Sequence, residues 1–370
     1  MKKRSLLFIL LFFSTQLYAQ ININLATSNT KPEELAAIRY LLDAFELYNP
    51  DISVNIIKYN ENDKTSSIIS KQNDYGAPDL IIADSLMLSA FNSDKVLDND
   101  FIGEVIKEIG EDSFFKGPLV SLEKEETFFG VPFTAWLQVL WYRADLFKKY
   151  KLPVPDTIDA ILNAAQVFEK FEDGVYGIVL GKKDDVYTQQ CFLHLAGAMG
   201  LQLDSDKDGY FFDEETFSKA ADYYSNLREY STPGLTNWRA RDFFFQKKAA
   251  MMFYSTFIMD DLAIPEIAAD SLTNKNFTEL ENISYSNDFL SNTGIVTTIT
   301  GSRKYSFGSV VGIGVFDNNF SAEKKEALDK FIMFLFRPDV YNTWLHMNPG
   351  GMLPVVKSSV DDNNFYRDPV

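Results

Sequence analysis

Apolar and polar positions along the chain follow two alternating periods. Ile21 to Ala26 and Ile52 to Ile56 are apolar at every second residue, which is the pattern of a half-buried strand. The segment between them carries an apolar stripe at helical spacing, from Leu35 to Phe45. The same order repeats down the chain and predicts an α/β protein whose mainly parallel sheets are flanked by helices.

The ends of the predicted strands supply the first candidate binding residues. In open α/β sheets, ligands lie beyond the carboxyl ends of the strands. Asp84 and Ser85 end the apolar run that starts at Pro78, and Trp136 and the segment from Tyr254 to Phe257 fall at or after two further strand ends. We therefore expect these side chains to lie near a ligand.

The first nineteen residues have the composition of an export signal. Three basic residues precede the apolar run Leu6 to Phe13, and Ala19 offers a small residue for cleavage. Eight apolar residues reach only ~12 Å as a helix, too short for a hydrocarbon core of ~30 Å. Residues 1–19 are thus predicted to be a signal peptide, without a lipid-anchoring cysteine. We expect an exported, soluble, periplasmic or extracellular protein.

Length and charge narrow the class of protein further. About 350 residues after the signal exceed what one core usually serves, which predicts two domains. The formal net charge of −17 repels phosphate backbones, so no nucleic-acid partner is expected. The single cysteine, Cys191, lies in an apolar stretch and is predicted to be buried without a disulfide.

Enzyme motifs do not stand out. The chain has two histidines, of which His194 is expected in the core, and it lacks a Gly-x-Ser-x-Gly elbow, a His-Glu-x-x-His pair and a phosphate-binding glycine loop. We therefore predict a protein without catalytic residues. A secreted carbohydrate-active enzyme stays open as an alternative, because glycoside hydrolysis needs only two carboxylates.

One acidic loop matches a calcium-binding pattern. Asp204, Asp206 and Asp208 alternate, Gly209 follows, and Glu215 is the twelfth residue of the loop that begins at Asp204. The carboxylates of alternate acidic residues can coordinate one hard cation, and the glutamate can complete the coordination with both of its carboxylate oxygens. The pattern predicts a structural calcium ion, with no other cofactor required. The alternative is an Asp-rich surface turn.

Three motifs in order give the chain a family resemblance. They are residues 130–147 (GVPFTAWLQVLWYRADLF) followed by LPVPDT, residues 244–251 (FFQKKAAM), and residues 350–355 (GGMLPV). Together they resemble the extracellular solute-binding proteins of ABC importers, in the sugar-binding family that includes the maltodextrin-binding proteins. Lys247 replaces the family's usual glycine, Arg143 an asparagine and Phe257 a tryptophan, which leaves the ligand class open.

The resemblance implies the two-lobed periplasmic binding protein fold, with a ligand cleft at the hinge. Residues 20–132 plus about 293–318 would form lobe 1, and residues 133–292 plus about 319–370 would form lobe 2, which ends early and is short or truncated. The lobes would close on the ligand by a hinge motion. The closed form would then dock on the membrane permease of an ABC importer.

The candidate ligand-binding residues come from both arguments. By resemblance, Thr134, Trp136, Tyr254, Phe257 and the Gly350–Gly351 loop face the cleft, with Asp84 and Ser85 from the first lobe. Aromatic side chains flanked by polar groups complement sugar rings. Trp238, beside two arginines, is therefore a further candidate ligand-binding residue. We predict a monomeric receptor for a small polar solute, a mono- or oligosaccharide, with a sensory ligand-binding module as a second alternative.

Overall fold

The computed structural model describes residues 20–29, 32–60, 63–169, 174–206, 209–237, 239, 241–259, 262, 289–347 and 351–361. The predicted signal peptide, Trp238, Asp208 and Gly350 lie outside these residues.

Within this part of the chain, strands and helices alternate much as the hydrophobic pattern predicts. The strands are β1 Ile21–Thr27, β2 Ile52–Lys58, β3 Leu80–Asp84, β4 Glu123–Lys124, β5 Thr127–Phe128, β6 Val131–Arg143, β7 Tyr176–Val179, β8 Leu203–Asp206, β9 Gly209–Phe212, β10 Ala249–Ser255, β11 Thr293–Val296, β12 Ile299–Thr300, β13 Lys304–Tyr305, β14 Phe307–Val315 and β15 Leu353–Pro354.

The α-helices are α1 Pro32–Tyr48, α2 Thr65–Ile69, α3 Ser85–Ser93, α4 Asn99–Ile109, α5 Lys116–Ser121, α6 Ala144–Tyr150, α7 Ile158–Glu169, α8 Val186–Ala198, α9 Glu214–Arg228, α10 Arg241–Phe245, α11 Ala322–Leu335, α12 Pro338–Met347 and α13 Lys357–Asp361. Short 3-10 helices cover Glu111–Ser113, Thr256–Ile258 and Leu290–Asn292. Among the residues described, no helix is long and apolar enough to cross a membrane.

Helix starts follow the expected capping chemistry. Thr157 Oγ1 accepts a hydrogen bond from the Ala160 N–H at 3.1 Å and so caps α7. Pro338 is the first residue of α12, where its missing N–H costs nothing.

One main sheet runs through the molecule, in the strand order β2-β1-β3-β14-β6-β10-β7, with β11 and β15 also paired to β6. The pairs β1–β2, β1–β3 and β7–β10 are parallel. Strand β6 pairs antiparallel with β10, β11, β14 and β15. The predicted α/β class is confirmed, but the sheet is mixed rather than mainly parallel, because β6 and β14 traverse it in opposite directions.

Most of the buried apolar side chains in the described part of the chain fall into two hydrophobic cores, which share the long strand β6. The first contains side chains from Ile23 to Phe133 and from Val310 to Val356. The second contains side chains from Val139 to Ile299. The strand β6 therefore belongs to both, with Phe133 in the first core and Val139 in the second.

This packing differs from the expected segment boundaries in two places. Helices α11 and α12 pack in the first core, where the Phe133 ring lies 5.8 Å from the Tyr341 ring and 5.6 Å from the Trp344 ring. Strand β11, in turn, pairs with the second-core half of β6. Apolar side chains of residues 322–356 thus pack in the first core, and those of residues 293–299 pack in the second core.

Candidate functional site

The middle of β6 lies between the carboxyl ends of two groups of strands. On one side, Val311 of β14 pairs with both Thr134 of β6 and Asp84, the last residue of β3. On the other side, Gln138 of β6 pairs with Ser255, the last residue of β10. We call residues 134–138 of β6, with the facing residues 307–311 of β14, the floor. It occupies the position where open α/β sheets bind ligands.

An aromatic pair lies on the floor. The rings of Trp136 and Phe307 meet edge to face with their centroids 6.3 Å apart. Both side chains are partly exposed. The sequence analysis identified Trp136 and missed Phe307, which is the first residue of β14. The apolar residue at 307 was the available signal.

Asp84 and Ser85 form the rim of the first core. Asp84 is exposed, and its Oδ1 accepts a hydrogen bond from the Met87 N–H at 2.8 Å. The carboxylate therefore caps α3 as well as facing solvent at the end of β3. Ser85 is the first residue of that helix and is partly exposed.

On the second core, the two predicted aromatic residues differ in accessibility. The ring of Tyr254 is buried, 5.8 Å from the Tyr187 ring, with the Arg241 guanidinium carbon 5.9 Å from its centroid. Phe257, in the short 3-10 helix after β10, is 40% exposed. The Phe257 ring is therefore accessible to a ligand, whereas the Tyr254 ring is packed inside the second core.

Thr134 and Gly351 lie in the floor region but offer no accessible side chain to a ligand. Thr134 is 2% exposed and sits between β14 and Pro354 of β15. Gly351 has φ +56°, and a Cβ there would overlap the Thr256 carbonyl oxygen. The structure thus places Asp84, Ser85, Trp136, Phe257 and Gly351 in or next to the floor, whereas the side chains of Thr134 and Tyr254 are buried.

The backbone of the acidic loop forms a hairpin. Strands β8 and β9 pair antiparallel, with Leu203 opposite Phe212 and Asp206 opposite Gly209. Glu215 lies in α9 and forms an exposed ion pair with Lys219 at 2.6 Å. The side chains of Asp204 and Asp206 lie outside the described part of the structure, as does Asp208, so calcium binding stays a prediction.

Burial keeps the side chains of Cys191 and His194 neutral. Cys191 is fully buried, and desolvation raises the pKa of its thiol to about 12. Burial lowers the pKa of His194 to about 4, with its ring 5.5 Å from the Phe253 ring. Both predictions of core placement are confirmed. Near neutral pH the thiol is protonated and the imidazole uncharged.

Two α/β cores joined by long shared strands, with an aromatic floor between the carboxyl ends of their sheets, define a two-lobed binding protein. The model of the bacterial extracellular solute-binding protein family matches residues 29–340. The chain belongs to this family of extracellular solute-binding proteins, which is a class of binding proteins and not of enzymes.

Similar proteins agree with this assignment. The putative ABC transporter periplasmic-binding protein YcjN of Escherichia coli (strain K12) is 27% identical over 343 residues, covering 92% of this chain and 74% of the relative. An ABC transporter solute-binding protein of Agrobacterium radiobacter K84 in complex with ribitol has a TM-score of 0.71 at 22% identity, covering 94% and 84% of the two chains. Maltose-bound MalE3 of T. maritima has a TM-score of 0.70 at 19% identity, covering 94% and 85%. The two structures share the fold of this chain.

Proposed function

We propose that this protein captures a small polyhydroxylated solute, a sugar or a sugar alcohol, between its two lobes and delivers it to the membrane permease of an ABC importer. It is proposed to do so as an exported monomer, after removal of residues 1–19. The ligand would lie on the floor, between the rim at Asp84 and the rim at Phe257.

The observation that carries this proposal is the chemistry of the floor and its rims. Trp136 and Phe307 offer an apolar aromatic surface, and Phe257 exposes a third ring. Asp84 supplies an exposed carboxylate on the opposite rim. Sugars combine apolar C–H faces with a rim of hydroxyl groups, so aromatic surfaces beside hydrogen-bond acceptors complement them.

The ligands of structurally similar proteins support the same class. The Agrobacterium radiobacter protein holds ribitol and the T. maritima protein holds maltose. A sugar alcohol and a disaccharide differ in ring closure and size but share adjacent hydroxyl groups. That shared feature is the one we propose this protein recognises.

Delivery to a permease requires that the bound form differ in shape from the free form. The long strands β6 and β14 link the two cores, and bending at the floor would let the lobes close over the solute. The name of the Escherichia coli relative supports an ABC transporter as the partner.

A binding screen with one floor variant tests the proposal. The full chain is titrated calorimetrically with ribitol, D-mannitol, maltose and D-galactose, with L-leucine as a solute of another class. We expect at least one polyhydroxylated solute to bind, and Trp136→Ala to weaken it by at least about tenfold through loss of the aromatic surface. Tyr48→Ala is the matched control, because Tyr48 is 67% exposed at the end of α1, next to the start of β2.

The outcomes separate the alternatives. A bound sugar that is recovered chemically unchanged supports the receptor, whereas a sugar that is consumed identifies a carbohydrate-active enzyme. Capture of a membrane sensor rather than a permease by the ligand-bound protein would identify a sensory module. Binding of none of the polyhydroxylated solutes contradicts the proposed ligand class.

We also propose calcium as a structural ligand of the loop from Asp204 to Glu215, and thermal denaturation of the full chain tests it. Calcium should raise the Tm and a chelator should reverse the effect, because an ion bound only by the folded state stabilises it. Asp206→Asn should abolish the shift and Asp184→Asn, outside the loop, should preserve it. An unchanged Tm at millimolar calcium would leave the loop as a β-hairpin turn without an ion.

A further inference from the structure

Thr256 lies where three segments of the floor region meet. It follows the last residue of β10 and opens the 3-10 helix that carries Phe257. It is 3% exposed, so its contacts are made within the protein. The sequence analysis included this residue in the segment from Tyr254 to Phe257 but did not single it out as a candidate binding residue.

The Thr256 hydroxyl continues the hydrogen bonding between β10 and β6 at the point where the backbone of β10 turns away from β6. Ser255 pairs with Gln138, so a longer β10 would next pair residue 256 with Leu137. The chain instead turns into the 3-10 helix, and Thr256 Oγ1 accepts the hydrogen bond from the Leu137 N–H, at 3.3 Å from nitrogen to oxygen. A side chain thus replaces the next backbone partner of the floor strand.

The Thr256 carbonyl packs against the segment that returns from the first core. A Cβ at Gly351 would overlap this carbonyl oxygen and come within 3.0 Å of the Met259 Cβ. Two residues later, Leu353 pairs with Ala135 of the floor. The missing side chain of Gly351 therefore lets the returning segment touch the wall of the second core beside Phe257.

We infer that Thr256 is a positioning residue for solute capture. Its hydroxyl attaches the 3-10 helix to β6, and its carbonyl packs against the segment at Gly351. Together these two contacts hold the Phe257 ring in a fixed place beside the floor. The inference rests on the proposed function, since it assigns Phe257 to ligand contact. In this arrangement Gly351 serves the site through the space it leaves rather than through a ligand contact of its own.

Thr256→Val tests the hydroxyl, because valine keeps the shape of threonine and cannot accept a hydrogen bond. Thr256→Ser restores the acceptor. Thr232→Val is the matched control, since Thr232 is also fully buried in the second core and its hydroxyl has no hydrogen-bond partner among the described residues.

The first readout needs no ligand. Amide hydrogen exchange at Leu137 in the ligand-free full chain should speed up about tenfold in Thr256→Val. It should stay at the wild-type rate in Thr256→Ser and Thr232→Val. An unchanged Leu137 rate in Thr256→Val overturns the inference, whatever the protein binds.

The second readout uses the solutes of the binding screen, ribitol, D-mannitol, maltose and D-galactose. For any that binds the wild type, Thr256→Val should raise the Kd about threefold to tenfold, and Thr256→Ser should restore it. Faster exchange at Leu137 with an unaltered Kd would show that the contact is structural only, which overturns the positioning role. If no solute binds the wild type, the proposed ligand class fails, while the exchange measurement still decides whether the junction exists.

Discussion

Lys247 departs from the family pattern at a position where the backbone conformation favours glycine, which should lower the stability of the fold. It stands where the resembling family usually has glycine, and its φ is +61°. The position follows α10, where Lys247 N–H donates to the Phe244 carbonyl at 3.0 Å and Lys248 N–H to the Phe243 carbonyl at 2.7 Å. This is the left-handed turn that ends many helices, and glycine adopts it without a steric penalty.

We therefore predict that Lys247→Gly stabilises the protein by about 0.5–1 kcal/mol, because relief of left-handed strain outweighs the greater freedom of the unfolded chain. Lys248→Gly is the control. Lys248 is not in a left-handed conformation, so its replacement by glycine relieves no strain and should lower the free energy of unfolding by a similar amount. Urea denaturation measures both. A destabilised Lys247→Gly would show that the lysine side chain contributes more than its backbone costs.

At the scale of elements, the most informative helix is α11, which the sequence analysis assigned to the other lobe. Its Lys324 reaches the edge of β1, where Nζ lies 2.7 Å from Asp79 Oδ2 and also donates to the Asn22 carbonyl. The Asn24 N–H donates to the same carboxylate oxygen at 2.7 Å. The side chains of Lys324 and Asp79 are 19% and 8% exposed, so this ion pair is largely shielded from solvent.

Lys324→Gln should therefore destabilise the first lobe by roughly 3 kcal/mol, since it leaves the Asp79 charge buried without its cation. Lys330→Gln is a control on the same helix. Its ion pair with Glu326 is 48% and 66% exposed and should contribute at most about 0.5 kcal/mol. Chemical denaturation of the two variants makes the comparison. Equal effects would mean that α11 does not depend on this buried contact.

At the scale of the whole molecule, two cores and their shared strands predict a hinge. The contacts that join the cores run through β6 and β14 and through the short pairing of β15 with β6. Few segments therefore need to bend when the lobes move. The junction at Thr256 and Gly351 lies among them.

We expect small-angle scattering to show a monomer whose radius of gyration falls when a binding solute is added. The decrease should be absent in Trp136→Ala at a solute concentration that saturates only the wild type. Calorimetric binding without any change in the scattering curve would contradict closure, and a dimer mass would contradict the monomer.

The sequence by itself determined the elements and the class. Strand and helix periods depend on neighbouring residues, so the hydrophobic pattern located β1, α1, β2 and β3 within a few positions. Asp84 was placed at a strand end in the same way, because strand ends can be recognised locally and carboxyl ends are where such sheets bind ligands. Trp136 was also expected at a strand end, whereas it lies in the middle of β6. Motif order then indicated the solute-binding family, which the family match confirms.

Only the tertiary structure decided which segments share a core and which side chains stay accessible. The placement of α11 and β11, the burial of Thr134 and the pairing of Trp136 with Phe307 depend on contacts between residues far apart in the chain. The role inferred for Thr256 has the same origin, since its two partners lie 119 and 95 positions away. Such contacts form because distant apolar surfaces are buried together, and a local pattern does not specify which surfaces will meet.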